Sequence, residues 1–234
     1  RDALEAERRE RELLEERDRL RRTFLASLAH DFRTPLTVIT GRLAELAPDN
    51  PAAGDALAAA QRLDRMMTDL TGAARLEAGA LAPKLESIDL VDVISAACDS
   101  LVWPAGVTLT QVIPAHLPFV RGDAVLLQHM VANLLDNALR HANSTVTVGV
   151  LEQADRLVLQ VSDDGPGVPE SERLRIFERF GRIEGTDRTQ GSGLGLAIVK
   201  GFGDALGMTV TVDSAPAGGA RFTVTMPRGG PACA

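Results

Sequence analysis

Cysteine is scarce in this chain: Cys98 and Cys233 are the only two in 234 residues. They lie far apart and lack metal-ligand spacing, which leaves out a disulfide framework and a zinc site and fits a reducing compartment. Long apolar runs are missing too. No stretch approaches the roughly 18 residues needed to cross a bilayer, and no signal-peptide pattern opens the chain. Positive charge is in deficit, with 25 Lys and Arg against 32 Asp and Glu and a net charge of -7. A sequence-independent grip on nucleic acid needs a basic face that displaces counterions, so no nucleic-acid partner is expected. Aromatic residues make up only 3%, yet the hydrophobic share is 45%, which supplies a packed core and excludes disorder throughout. An initiating Met is absent as well. The sequence starts at Arg1 in mid-pattern and is expected to be a piece of something longer.

What is present first is charge of both signs. Residues 1–22 hold eight Arg and eight Asp or Glu, and Glu5/Arg9, Glu7/Arg11, Glu15/Arg19 and Asp18/Arg22 each put the acid four residues before the base. That order supports a helix by about 0.2–0.5 kcal/mol per pair. Leu13, Leu20 and Phe24 add a sparse seam, so the segment is either a solvated helical face or a short coiled coil leading into the next helix. From there Leu25, Leu28, Phe32, Leu36, Ile39 and Leu43 form one helical stripe. A second helix is expected over about 52–78, where Ala56, Ala60, Leu63, Met67, Leu70 and Ala74 repeat at the same spacing, with "APDNPAAGD" as the turn between. Two helices with narrow stripes make a hairpin that exposes one side of its seam. Pairing two hairpins into a four-helix bundle would bury it, which implies a homodimer; the alternative is packing on the rest of the same chain.

After "GALAPK" the texture changes. "DLVDVISAACDSLV" reads as a helix, "VTLTQVI" and "FVRG" as strands, and "DAVLLQHMVANLLDNALRHA" as a long helix with Asp123 as N-cap. "STVTVGVLEQADRLVLQVS" and "MTVTVDSAPAGGARFTVTMP" alternate like hairpins. Strands interrupted by helices make this region an α+β layer structure.

The stretch "SLAHDFRTPLTVI" carries the first candidate chemistry. At about 100° per residue, with Leu28 at zero, the apolar stripe spans about 0–80° and His30 falls near 200°, on the solvent side. Thr34 lies one turn later and Asp31 beside it. A lone surface His usually does nothing, but a largely neutral imidazole can attack phosphorus without a large activation step. The adjacent carboxylate can hold the other ring N–H and stabilise the developing positive charge. Pro35 removes the N–H that would bond the carbonyl of residue 31, which is expected to bend the helix there. "HDFRTPL" resembles the phosphoacceptor box of the dimerising domain of sensor histidine kinases, H-E-x-x-T-P-L, with Asp31 in place of the commoner Glu. The resemblance implies that His30 is phosphorylated, that Asp31 is its acid/base partner, and that Thr34 positions water when such enzymes dephosphorylate their partner.

A histidine that takes phosphate needs a donor. On the helix over 123–141, Leu127, Met130, Val131, Leu134, Leu135 and Ala138 form a core face, with Asn133, Asn137 and Arg140 as a polar strip on its flank. Amide oxygens suit a Mg²⁺ that keeps water and phosphate ligands, and Arg140 suits a phosphate; alternatively, two Asn four apart cap neighbouring loops. "VLQVSDDGPGVP" ends an apolar strand in Asp163 with Gly165 and Gly167, so that backbone can approach a flat ring while the carboxylate accepts from an exocyclic amine; by itself the motif is also an ordinary Asp-Gly turn. "QGSGLGLAIVK" places Gly191, Gly193 and Gly195 before an apolar helix, where backbone N–H groups bind phosphate. The polar run "GRIEGTDRTQ" before them excludes a Rossmann strand, and no G-x-x-x-x-G-K-[ST] exists.

Asn-x-x-x-Asn, Asp-x-Gly-x-Gly, "IFERF" and Gly-x-Gly-Leu-Gly-Leu, in this order, resemble the catalytic ATP-binding domain of the same kinases. The resemblance spans nearly everything from Phe24 to about Pro227. It implies that Asn133 and Asn137 form one nucleotide-binding box, with Asn137 the Mg²⁺ ligand and Arg140 and His141 near the phosphates. Asp163 would bind the adenine amine, Gly165 and Gly167 would line the base pocket, and Gly191, Gly193, Leu194 and Gly195 would close a lid over the triphosphate. Phe177 and Phe180 either hinge that lid or are core aromatics. The lid itself, residues 181–190, is short.

The expected organisation is therefore a helical entry segment over 1–22, a dimerisation and phosphotransfer domain over 23–80 that forms a four-helix bundle as a dimer, and an α/β-sandwich ATP-binding domain of the histidine kinase, chaperone and gyrase type over 85–228. ATP and Mg²⁺ are the implied cofactors. The implied partners are a second copy and the receiver domain of a response regulator, with a sensor domain upstream of Arg1 and no direct membrane contact in this stretch. The implied place is the cytoplasmic portion of a longer sensor. A phosphatase-biased core using Thr34 and a nucleotide-sensing dimeric pseudokinase are the alternatives, and none of the expected site residues is missing.

Overall fold

A computed structural model describes residues 32, 34–77, 79, 81–178, 181 and 193–228. The charged entry segment, His30, Asp31, Phe180, Gly191 and the lid over 182–190 lie outside the described residues, as does the bend expected at residue 31. The chain divides into two compact units, Arg1–Leu81 and Ala82–Ala234.

In the first unit, helix α1 covers 34–46 and leads through a 3₁₀ turn, Ala47–Asp49, into α2, Pro51–Glu77. Asn50 starts α2: its Oδ1 accepts from the N–H groups of Ala52 (3.0 Å) and Ala53 (3.3 Å), and Pro51 stands where no intrahelical N–H is needed. Leu36, Ala53, Ala60 and Ala74 are buried. Ile39, Leu63 and Leu70 of the same expected stripes are not, at 49%, 51% and 38% exposure, so one side of the apolar seam stays open in the single chain.

The second unit is a helix layer on a mixed sheet. Its elements run β1 (Glu86–Ile88), α3 (Leu90–Asp99), β2 (Thr108–Val112), β3 (Val120–Gly122), α4 (Ala124–His141), β4 (Thr145–Glu152), β5 (Arg156–Asp163), α5 (Gly195–Ala205), β6 (Thr209–Ser214) and β7 (Ala220–Pro227). The five-stranded sheet has the order β2-β4-β5-β7-β6, with β2 parallel to β4 and all other pairs antiparallel. β1 and β3 form a separate antiparallel pair. Alternation decides the faces. Val146, Val148 and Val150 of β4, Leu157, Leu159 and Val161 of β5, and Phe222, Val224 and Met226 of β7 are buried at every second position. Against this face lie Leu127, Met130, Leu134, Leu135 and Ala138 of α4 and Ile198, Val199 and Phe202 of α5. The opposite face carries Thr147, Gln160, Ser162, Thr223 and Thr225. Asp123 caps α4 as expected, its Oδ1 accepting from Val125 N–H at 3.1 Å and Leu126 N–H at 3.2 Å.

Candidate functional site

The site begins where the inward rhythm of β5 changes chemistry. Leu157, Leu159 and Val161 point into the core, and the next residue of that parity is Asp163, 4% exposed. A carboxylate so placed needs donors. Oδ1 accepts from Gly165 N–H (2.9 Å) and from Ala220 N–H (3.3 Å), whereas the buried Oδ2 has no partner. Burial pushes the Asp163 carboxyl above its ordinary value, against the two backbone N–H groups and His141, which favour the charged form. An orphaned buried acceptor costs free energy unless a ligand supplies a donor, and an exocyclic amine does so.

Glycines set the walls. A Cβ on Gly165 would stand 2.1 Å from the His141 carbonyl oxygen, so the end of β5 and the end of α4 touch through backbone. Gly219, in the β6–β7 turn, has φ +81° and would place a Cβ 2.0 Å from the Asp163 carbonyl oxygen. Gly167 approaches the same turn through the Gly219 carbonyl. Ala220 and Gly219 were not singled out in the sequence, where "PAGGA" reads only as a hairpin turn; the paired glycines were the available signal.

The polar flank of α4 joins the end of β5 to the start of α5. Asn133, Asn137 and His141 recur every fourth residue and share one helix face. At one end the His141 carbonyl meets Gly165; at the other, Asn133 Oδ1 lies 3.1 Å from where a Cβ on Gly195 would be. Asn137 therefore stands between the end of β5 and the N-terminus of α5. Gly193, at φ +70°, and the buried Leu194 lead into α5, whose first N–H groups face an end with no side-chain cap. Arg140 is paired with Asp136 one turn back. Partial burial and the neighbouring Arg140 lower the pKa of His141 below its ordinary value, while Asp163 opposes this.

Phe177, His129 and Cys98 are packed within the second unit. Phe177 sets its ring edge against Phe222 of β7 (6.2 Å, 87°), and His129 packs edge-on against Phe202 (5.4 Å, 68°). Cys98 is buried in α3. Thr34 is exposed at the start of the described part of α1.

Comparison with known proteins agrees with this geometry. The family profile described as histidine kinase-, DNA gyrase B-, and HSP90-like ATPase matches residues 122–230, and the His Kinase A (phospho-acceptor) domain matches 20–79. The chain is 32% identical to the sensor protein KdpD of Escherichia coli, over 96% of this chain and 26% of that protein. It is likewise 32% identical to the signal transduction histidine-protein kinase AfsQ2 of Streptomyces coelicolor, over 91% of this chain and 43% of that protein. It thus spans less than half of either relative. Among solved structures, full-length ShkA in complex with AMPPNP matches 89% of this chain and 46% of its own at 27% identity and a TM-score of 0.66. The mycobacterial sensor histidine kinase MprB matches 62% of this chain and 97% of its own at 30% identity and a TM-score of 0.55. A phosphoacceptor domain match followed by an ATPase domain match, with sensor kinases among the relatives, means that the chain belongs to the sensor histidine kinases of two-component systems.

Proposed function

We propose that this chain is the catalytic core of an ATP-dependent protein-histidine kinase, acting as a homodimer, whose own His30 receives the phosphoryl group and passes it to an aspartate on the receiver domain of a response regulator. The observation that carries this reading is Asp163: a nearly fully buried carboxylate with one oxygen fixed by Gly165 and Ala220 and the other without a partner. That oxygen suits the adenine amine. From there the site would run along Asn137 to the start of α5, where backbone N–H groups and a helix N-terminus suit the phosphates. Asn137 would hold Mg²⁺, which supplies charge neutralisation on the transferring phosphoryl group.

The residues of the chain then divide the work. Asp163 and the glycines orient the base. Arg140 and His141 flank the phosphates, and Gly193, Leu194 and Gly195 carry them on the α5 N-terminus. A His30 ring nitrogen attacks the γ-phosphorus, the bond from that phosphorus to the β,γ-bridging oxygen breaks, and ADP leaves with the electron pair. Asp31 takes the proton from the other ring nitrogen. Phosphoryl transfer of this kind rests on position and charge, which accounts for a donor domain with no nucleophile of its own. The chain works on the cytoplasmic side of a longer sensor. The exposure of Thr34 favours a second activity of the same core, in which its hydroxyl positions water against a phosphorylated receiver.

The test is incubation with Mg²⁺ and γ-labelled ATP, followed by a chase with receiver domains. Acid-labile, alkali-stable label that is absent in His30→Gln and moves to a receiver supports the kinase. A chain that binds nucleotide but takes no label contradicts it. Thr34→Ala should keep the labelling and lose receiver dephosphorylation; retained dephosphorylation rules out the second activity.

A further inference from the structure

Beside Asp163 stands a second carboxylate with different work. Asp164 turns toward the corner between α4 and β4. Its Oδ1 accepts from the backbone N–H groups of Asn143 (2.8 Å), Ser144 (3.0 Å) and Thr145 (3.1 Å), and its Oδ2 from the Ser144 hydroxyl (2.6 Å) and, as a second branch, from Ser144 N–H (3.1 Å). Asn143 returns a bond, its Nδ2 donating to the Asp164 carbonyl at 2.6 Å. These bonds join residues 19 to 21 apart in sequence. With every partner a donor, the group is held well below the usual carboxylate range.

The corner matters for what directly precedes it. Residues 143–145 follow on from Arg140 and His141, the last turn of α4, and the His141 carbonyl presses on Gly165, the residue after Asp164. The latch thus fixes the end of α4 to the end of β5 next to that contact. Both ends carry site residues: Asn137, Arg140 and His141 on α4, and Asp163 on β5.

We infer that Asp164 is a positioning residue of the nucleotide site: it holds the phosphate-side residues of α4 at a set distance from the base-accepting Asp163, so that one ligand reaches both. This rests on the ATP reading of the site given above. A ligand that spans two anchors is sensitive to their spacing, and a displacement near 1 Å costs on the order of a hundredfold in reactions that depend on position. The chemistry of the latch also specifies its substitutes. In Asp164→Asn, Oδ1 keeps the three backbone N–H bonds and Nδ2 donates to Ser144 Oγ, which then accepts, while only the second, longer branch of the Ser144 N–H bond is lost. In Asp164→Ala nothing replaces them.

The experiment is calorimetric titration of the whole chain with Mg-ATP and with Mg-GTP, alongside a thermal melt that gives the folded fraction. Asp164→Ala should bind ATP about tenfold more weakly or worse, with a smaller preference for ATP over GTP, and Asp164→Asn should restore most of both. Ser144→Ala removes only the hydroxyl donor and should show the same pattern at about threefold, which keeps the test available if Asp164→Ala does not fold. A folded Asp164→Ala or Ser144→Ala chain with wild-type affinity and wild-type base preference overturns the inference, even if its melting temperature falls, because it shows a purely structural role. A wild-type chain that binds neither nucleotide overturns the ATP reading and the inference with it.

Discussion

Asp163→Asn should separate recognition from folding, because the two depend on opposite properties of one buried group. The change is isosteric. Its carbonyl oxygen can keep the Gly165 and Ala220 N–H bonds at 2.9 and 3.3 Å, while an NH₂ replaces the unpartnered Oδ2. Against an adenine amine this sets donor against donor and removes a bond to a charged acceptor, about 1.5–3 kcal/mol. At 1.4 kcal/mol per decade, ATP affinity should fall roughly ten- to a hundredfold. Stability should move the other way. Burial raises the folded-state pKa of Asp163 above its ordinary value of 3.8, so the protonated form favours folding and that stability is lost as pH rises through the folded pKa. Asn carries no such cost. The variant should melt at or above the wild-type temperature at neutral pH, with its advantage shrinking as pH falls toward 3.8. Titration calorimetry and melts over pH read both effects. Wild-type ATP affinity combined with a lower melting temperature would refute the reasoning and make Asp163 a structural cap.

Three further outcomes follow from the same contacts. Gly165→Ala would force a Cβ to within 2.1 Å of the His141 carbonyl, so chemical denaturation should show a loss on the order of 2–3 kcal/mol together with weakened nucleotide binding; a neutral change would contradict the backbone contact. The lowered folded pKa of His141 makes protonation unfavourable to the fold, so stability should decline as pH falls below about 6.5, and His141→Gln should remove that part of the slope in melts between about pH 5 and 7. Ile39→Lys places a charge on the open seam where Ile39 is 49% exposed; it should leave helix content intact but weaken dimerisation by about 3 kcal/mol, seen as a monomer in light scattering, whereas an unaltered dimer would put the interface elsewhere.

Periodicity made much of the second unit legible. The stripe Leu127, Met130, Leu134 and Ala138 announces α4, and the apolar run ending in Asp163 marks β5; that Asp163 faces inward is what the structure adds. The hairpin pairs β4–β5 and β6–β7 were legible too, but pattern does not contain how the hairpins join into one sheet. The order β2-β4-β5-β7-β6 and the parallel β2–β4 contact depend on connections across many residues. The three-residue strand β1 was also hidden, because Glu86–Ile88 is too short to show a rhythm and is held by pairing with β3. The same limit applies at the site. Asp163, Gly165 and Asn137 stand in recognisable motifs, but the Ala220 N–H that holds Asp163 comes from 57 residues away and leaves no mark on spacing. Asp164 looks like half of an Asp-Asp-Gly turn, and only the fold brings Asn143, Ser144 and Thr145 to it.

Whether a nucleotide held by Asp163 delivers its phosphoryl group to His30 is tested at residue level by fragmentation mass spectrometry at neutral pH. After incubation with Mg²⁺ and ATP, a single phosphorylated residue, His30, should be found in the wild-type chain and be strongly reduced in Asp163→Asn. Phosphate on any other residue, or on His30 to the same extent when Asp163 is replaced, would contradict this transfer.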